Sequence, residues 1–206
     1  GGPSSQADYS IRGGSFDQTL VLINGVAFNS SQTGHHNGNL PVSMSDIERI
    51  EILEGSGARS LGNNAFSGGI NIITKTSGTN SVSISASGGQ YSDFSLSTSA
   101  SLKLSERIGS YISISKDKND GYKANTDTDN LNIFGSTDFK STFGDFSLTY
   151  GGMNLKFGAN SFYTIYFPNQ FEEISNGFAA LEHSINYDRI RINTKANYNI
   201  LFDRFE

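Results

Sequence analysis

From Ser81 to the last residues, apolar and polar side chains alternate with a period of two. Val82, Ile84 and Ala86 are separated by serines, and the segment 94–104 repeats the pattern. Alternate residues of a β-strand point to opposite faces, so each segment predicts a strand with one apolar and one polar face. The pattern recurs along the chain and predicts about seven antiparallel strands.

The connections between these segments alternate in length. The short ones are 105–107, 141–144 and 188–189, the long ones are 117–129 and 159–174, and 88–92 is short where a long one is expected. Short turns at one end and longer loops at the other are typical of outer-membrane barrels, whose polar face lines a wet interior. A soluble β-sandwich, whose polar face meets bulk water, is the alternative.

The glycine pair Gly151-Gly152 interrupts the alternation. Apolar residues occupy even positions from Phe146 to Tyr150 and odd positions from Met153 to Phe157. A β-bulge adds one residue to a strand and shifts its parity by one. We therefore expect a bulge at this glycine pair.

The composition suits strands in a membrane better than a large soluble core. Hydrophobic residues make up only 35% of the chain, but a membrane strand exposes only every second residue to lipid. No apolar run approaches the roughly 18 residues that a membrane helix needs. The net charge of −5 argues against a nucleic-acid-binding surface, and the absence of Cys excludes disulfides and thiolate metal sites.

The residues before position 80 follow a different pattern. The apolar run 20–23 is followed by Asn24-Gly25, which favours a type I′ hairpin because both turn residues adopt positive φ. An alternating segment at 49–53 and an apolar one at 70–74 predict two more strands, and 58–61 suits a single helical turn. Together these elements predict a small mixed α/β unit with glycine-rich connections.

Four segments of this unit, SIRGG, LVLINGV, DIERIEIL and NAFSGGINIIT, follow one another between Ser10 and Thr74. In order and spacing they resemble the second half of the plug domain of TonB-dependent outer-membrane receptors. The resemblance implies a mixed α/β plug domain over 1–79, followed over 80–206 by antiparallel transmembrane strands. Such plugged barrels have roughly 22 strands, so the resemblance also implies a fragment.

The same resemblance implies a function. Receptors of this family lie in the bacterial outer membrane, in contact with its lipid, and import a scarce nutrient. Their energy comes from the inner-membrane TonB complex, which acts through a segment upstream of the plug. The loops here are similar to those of vitamin B12 (cobalamin) or ferric siderophore receptors. A glycan or peptide importer of the same superfamily is the alternative, and a passive porin is the next one.

The resemblance also assigns cargo-binding residues to plug loops and to a barrel loop. We name the polar segment 29–39 the apex loop, and the second plug loop is 61–66. The expected cargo contacts in the plug are Gln32, Thr33, His35, His36, Asn37, Asn63, Asn64 and Phe66. Those in the barrel loop are Tyr163, Tyr166, Phe167 and Asn169, whose aromatic rings suit a large planar cargo.

The chain departs from the common plug pattern at one charged position. The family usually has Arg-Gly-Pro after the IERIEIL strand, whereas this chain has Glu54-Gly55-Ser56. In the family a basic residue there pairs with carboxylates of the barrel wall and locks the plug. The resemblance leaves Arg12 and Arg59 as the residues expected to form that lock.

Sequence features outside the resemblance predict little further chemistry. The loop between Asp117 and Asn130 is rich in oxygen ligands, and Asp117, Asp127 and Asp129 are weak candidates for Ca²⁺, although the spacing does not match an EF-hand. The alternative is a solvated loop. The adjacent His35 and His36 are poorly placed to ligate one ion, so we expect no other metal site. No G-x-S-x-G, Walker or H-E-x-x-H motif is present, and we expect neither an enzyme nor an organic cofactor.

Overall fold

The computed structural model describes residues 8–30, 34–55, 65–161 and 166–206. The chain divides into two compact units. The N-terminal unit runs up to Leu40 and continues over Asp46–Lys75. The strand unit consists of Pro41–Ser45 and Thr76–Glu206, so a short piece of the N-terminal sequence belongs to it.

The N-terminal unit contains a four-stranded sheet with the order β2-β1-β4-β3. Its strands are β1 (Thr19–Ile23), β2 (Val26–Ala27), β3 (Ile47–Glu54) and β4 (Gly68–Thr74). Strand β1 pairs in parallel with β4, and the other two pairs are antiparallel. Every residue of β1 is buried, which explains its unbroken apolar sequence.

The predicted hairpin turn at Asn24-Gly25 is confirmed. The φ angles are +51° at Asn24 and +73° at Gly25, as a type I′ turn requires. The Asn24 amide nitrogen donates to Thr74 Oγ1 at 2.9 Å, and its oxygen accepts from the Thr74 backbone N–H at 3.0 Å. One side chain therefore ties the hairpin to the end of β4.

Helical structure among the described residues is limited to three short 3-10 turns. They span Phe16–Gln18, Gly34–His36 and Met44–Asp46. The helical turn predicted at 58–61 lies outside the described residues. No helix in the described ranges is long and apolar enough to cross a membrane.

The strand unit is a seven-stranded antiparallel meander, which confirms the predicted strand number. The strands pair in chain order from β5 to β11, each with its sequence neighbour. They are β5 (Ser81–Gly88), β6 (Phe94–Lys103), β7 (Ile108–Asn119), β8 (Thr128–Ser141), β9 (Gly144–Gly158), β10 (Phe171–Tyr187) and β11 (Ile190–Phe205). The long connections are shorter than predicted because the strands that flank them extend further.

The register of these strands separates two faces of opposite character. One row pairs Ile84, Thr98, Ile114, Ile133, Gly152, Gly177 and Ile200. We call this side the apolar face, and its large side chains are exposed, with Ile84 at 71% and Ile114 at 49%. The opposite side, the polar face, carries buried Ser113, Asn132 and Thr149. Exposed apolar and buried polar groups reverse the order of a soluble protein.

Serine dominates the polar face of the first three strands. The row that joins Ser85, Ser97 and Ser115 is one example, and the row of Ser83, Ser99 and Ser113 is the next. Ser113 and Ser115 are buried, whereas Ser83 and Ser85 on the edge strand are exposed. These two rows therefore carry uncharged hydroxyl groups.

Near the longer loops, charged residues replace apolar ones on the apolar face. Lys118, Asp129, Lys156 and Glu173 form one row across four strands. Lys156 Nζ lies 3.3 Å from a carboxylate oxygen of Glu173. The strands thus pass from apolar to charged side chains on the same face, as at a lipid–water boundary.

The bulge predicted at Gly151-Gly152 is wrong. Strand β9 keeps an unbroken register with β8 and β10 through both glycines. The parity of the apolar residues changes because Met153, Leu155 and Phe157 lie on the polar face. They form a local cluster there with Ala159 and Ile174. The sequence shift therefore marks an apolar island within the polar face and not an extra residue.

Ile114 and Lys118 test the assignment of the apolar face to lipid. In protein reconstituted in phospholipid vesicles, we expect Ile114→Lys to lower the free energy of unfolding by about 2–4 kcal/mol, because a charge enters the hydrocarbon. Lys118→Gln, on the same strand and face, should change it by about 0.5 kcal/mol or less. Denaturant titration in vesicles measures both values. Equal effects would show that the two positions face the same solvent.

Candidate functional site

The apex loop (29–39) begins at a side chain that extends the sheet. Asn29 Oδ1 accepts from the buried Val21 N–H at 2.7 Å, and Asn29 Nδ2 donates to the Thr19 carbonyl at 3.1 Å. The Phe28 N–H also donates to the Val21 carbonyl at 2.9 Å. The amide of Asn29 thus replaces one backbone unit of a partner strand and holds the start of the loop, which follows β2, against β1.

The middle of the apex loop is tied to itself and to the first 3-10 turn. Asn37 Oδ1 accepts from the Ser30 N–H at 2.9 Å, which closes the loop across its base. The Gly34 N–H donates to Asp17 Oδ1 at 3.2 Å. Two polar side chains therefore hold the backbone of a segment that has no strand partner.

The two adjacent histidines have different surroundings. The His35 ring stacks on Phe16 with centroids 3.9 Å apart, and its Nδ1 lies 2.8 Å from Asp8 Oδ1. The His35 side chain is 39% exposed, whereas His36 is 5% exposed. Of the two, only His35 is open to a ligand from solvent.

The other expected cargo residues fall into three groups. Asn37 is buried and its Oδ1 accepts a hydrogen bond within the loop, so its contact with cargo stays a prediction. Phe66, Tyr166 and Phe167 are exposed to 75%, 80% and 60%, and Asn169 is also exposed, so solvent reaches all four side chains. Outside the described residues lie Gln32, Thr33, Asn63, Asn64 and Tyr163.

Arg12, one of the two residues expected to lock the plug, has an ion-pair partner in its own unit. Its guanidinium donates to Glu54 at 2.7 Å. Glu54 is the residue that stands where the family pattern has Arg, so the departure in sequence supplies a partner for Arg12. The pairing of Arg12 with the barrel wall stays a prediction, and Arg59 lies outside the described residues.

The three aspartates proposed for Ca²⁺ are not assembled around one ion. Asp117 lies on the polar face and accepts from Ser95 Oγ at 2.5 Å. Asp129 lies on the apolar face, where it pairs with Lys116. The sheet therefore separates these two carboxylates, and Ca²⁺ binding by the aspartates stays a prediction. Asp127 is exposed in the connection between them.

Two titratable groups of the N-terminal unit have pKa values that are shifted further away from pH 7. Burial raises the pKa of the Tyr9 phenol. The pKa of the Glu51 carboxyl is lowered, first by the hydrogen bond from Asn71 and then by that from Arg49. Tyr9 therefore stays protonated and Glu51 ionised at neutral pH, and neither suits proton transfer there.

The sequence prediction missed the residues that shape the loop. Asn29, Asp17 and Asp8 each make a contact that fixes the apex loop or one of its side chains. An Asn two residues after a hairpin strand is a usable signal, because Asn side chains often bond to nearby backbone. The two aspartates come from a distant part of the chain, and no local pattern marks them.

Comparison with known proteins finds similarity to both units. Residues 1–69 match the family described as the TonB-dependent receptor plug domain. The vitamin B12 transporter BtuB of Vibrio vulnificus is 39% identical over 77 residues, which are 37% of this chain and 12% of that protein. BtuB of Vibrio cholerae is 31% identical over 123 residues, 59% of this chain and 20% of that protein.

A solved structure has the same fold over almost the whole chain. The siderophore receptor PiuA from Acinetobacter baumannii superposes with a TM-score of 0.76 and 17% identity, and covers 99% of this chain and 32% of that receptor. The chain therefore spans a fifth or less of the two curated relatives and about a third of this receptor. By their names these proteins are transporters and receptors.

Asn29 offers a test of how the apex loop is held. We expect Asn29→Ala to lower the free energy of unfolding by about 1–3 kcal/mol, because the buried Val21 N–H loses its acceptor. Asn29→Asp keeps an oxygen at that position and should lower the free energy of unfolding by less. Thermal unfolding and amide hydrogen exchange of 28–40 measure the effect. Unchanged exchange in Asn29→Ala would mean that other contacts hold the loop.

Proposed function

We propose that this chain, which belongs to the TonB-dependent receptors through its plug domain and the barrel strands that follow, serves the energised import of vitamin B12 across the bacterial outer membrane. One observation carries the choice of cargo. The 31% identity to a vitamin B12 transporter extends over 123 residues, more than the 69 that the plug match covers. Both the plug and the strands after it therefore support this cargo.

The second candidate cargo is a ferric siderophore. The solved receptors of similar fold include siderophore receptors, but their identity to this chain is 17% and 21% in the first two cases, which supports the fold alone. A glycan or peptide importer of the same superfamily ranks below both. Nothing in the described residues favours it.

The proposed mechanism gives each unit a role. The strand unit forms part of a barrel wall with its apolar face in lipid and its polar face toward water. Cargo binds to the exposed side chains of the apex loop and of the connection between β9 and β10. The TonB complex, driven by the inner-membrane proton gradient, then acts on the plug through a segment upstream of it and opens a path.

His35 is the apex-loop residue best placed to contact cargo. It is half-exposed, and Asp8 and Phe16 hold its ring in one orientation. A held side chain loses little conformational freedom when it binds a ligand. Cobalamin carries many amide groups, and the imidazole can exchange a hydrogen bond with one of them.

Calorimetric titration of the intact receptor with cyanocobalamin tests this proposal. We expect sub-micromolar binding in the wild type and a Kd about 3–10-fold higher in His35→Ala, the value of one hydrogen bond. His183→Ala is the matched control, because His183 lies on the apolar face. Tight binding of a ferric siderophore with no cobalamin binding would move the cargo to iron. Equal effects of the two variants would contradict the role of His35.

Uptake into cells separates a TonB-dependent receptor from a passive porin. We expect accumulation of labelled cobalamin to stop when a protonophore collapses the inner-membrane proton gradient, because the plug then stays in place. Cells that express a known diffusion porin, assayed with a porin substrate, are the control. Cobalamin entry that continues at the same initial rate after the protonophore would contradict energised import.

A further inference from the structure

Pro41 lies on the polar face of the strand unit, and we call its position there, over Gly151 of β9, the seat. The segment Pro41–Ser45 belongs to that unit, and Pro41 is among its fully buried side chains. A Cβ added to Gly151 of β9 would stand 2.8 Å from the Pro41 carbonyl oxygen. The backbone of Pro41 therefore lies directly over Gly151, which has no side chain.

Two phenylalanines border the seat. Gly151 pairs with Phe134 on β8 and with Phe178 on β10, so all three lie in one row of the polar face. Phe134 is 0% and Phe178 is 6% exposed, and their ring centroids are 6.5 Å apart. The same added Cβ would stand 2.8 Å from Phe178 Cε1. The glycine thus leaves a gap between two buried rings, and any side chain at that position would close it.

The residue type at the seat suits a fixed attachment. Proline has its φ locked and no backbone N–H to satisfy, so it loses little freedom when it is buried. The residue before a proline is held near an extended conformation, which restricts Leu40 as well. The Leu40 N–H donates to the Gly38 carbonyl at 3.1 Å, which forms a local turn directly before Pro41.

The apex loop therefore has attachments of two kinds. At its start, Asn29 bonds to the backbone of β1 in the four-stranded sheet. Just after its end, Pro41 belongs to the wall. A pull on the four-stranded sheet acts on the start of the loop, while the seat retains its end.

We propose that Pro41, held over Gly151 between Phe134 and Phe178, is a positioning residue that fixes the exit of the apex loop on the barrel wall. A loop fixed at both attachments presents His35 in one orientation. It is also one of the segments through which a pull on the four-stranded sheet is transmitted, and its deformation weakens the hold on cargo. The part that concerns cargo rests on the proposed function.

Two neighbouring glycines provide a matched test in the intact receptor. Gly151→Ala places a methyl group against the Pro41 carbonyl. Gly152→Ala adds the same group one residue later on the opposite face, where the nearest atom is the Asn176 carbonyl oxygen at 3.7 Å, an ordinary contact. We expect Gly151→Ala to speed amide hydrogen exchange of 37–45 about tenfold and to raise the Kd for cyanocobalamin by a similar factor. Gly152→Ala should leave both unchanged.

A variant of the seated segment completes the test. Pro41→Gly frees the backbone and leaves the wall intact, so the same amides should exchange faster. If Gly151→Ala does not fold while Gly152→Ala does, amide hydrogen exchange in Pro41→Gly alone tests the seat. Thermal unfolding in each variant separates a local from a global change.

The outcomes distinguish this inference from the proposed cargo. Equal rates of amide hydrogen exchange of 37–45 in the wild type, Gly151→Ala and Pro41→Gly would overturn the inference that the seat holds Pro41. Faster exchange with an unchanged Kd, in a receptor that binds cobalamin, would overturn its positioning role. A wild type that does not bind cobalamin refutes the proposed cargo, and the exchange pattern still decides whether the seat fixes the loop.

Discussion

The unbroken antiparallel register of the seven-stranded sheet is the constraint on which the other features depend. Because side chains alternate along a strand, a slip of one residue would exchange the two faces completely. The register holds through the glycine pair of β9, where the sequence suggests a shift. It therefore keeps one face largely apolar and the other largely polar, with the island of Met153, Leu155 and Phe157 on β9 as an exception.

The N-terminal unit is organised by side chains that act as backbone partners. Its sheet is small, and β2 contains only two residues, so the ladder alone leaves many groups unpaired. Asn24 bonds to Thr74, Asn29 bonds to β1, and Asn71 accepts from the Gly25 N–H at 2.8 Å. Asparagine suits these positions because one amide both donates and accepts. The polar character of the unit is thus a structural requirement.

The local and periodic features of the fold could be predicted from the sequence, and the long-range contacts could not. The Asn-Gly turn and the alternating strands follow from short patterns, and the structure confirms them. The apolar residues from Met153 to Phe157 were misleading because periodicity alone does not show that an apolar cluster can form on a polar face. The contacts of Asp17 with Gly34 and of Asp8 with His35, like the ion pair of Arg12 with Glu54, join residues that lie far apart in the sequence. No local rule identifies such pairs.

The serine-lined part of the polar face has a consequence for any molecule that moves along it. A hydroxyl both donates and accepts, rotates readily, and carries no net charge. On the row of Ser85, Ser97 and Ser115, the hydroxyls that water reaches can therefore exchange hydrogen-bond partners, whereas Ser115 itself is buried. None of the three side chains favours a cation over an anion by its charge. A preference for one charged solute would have to come from residues outside this row.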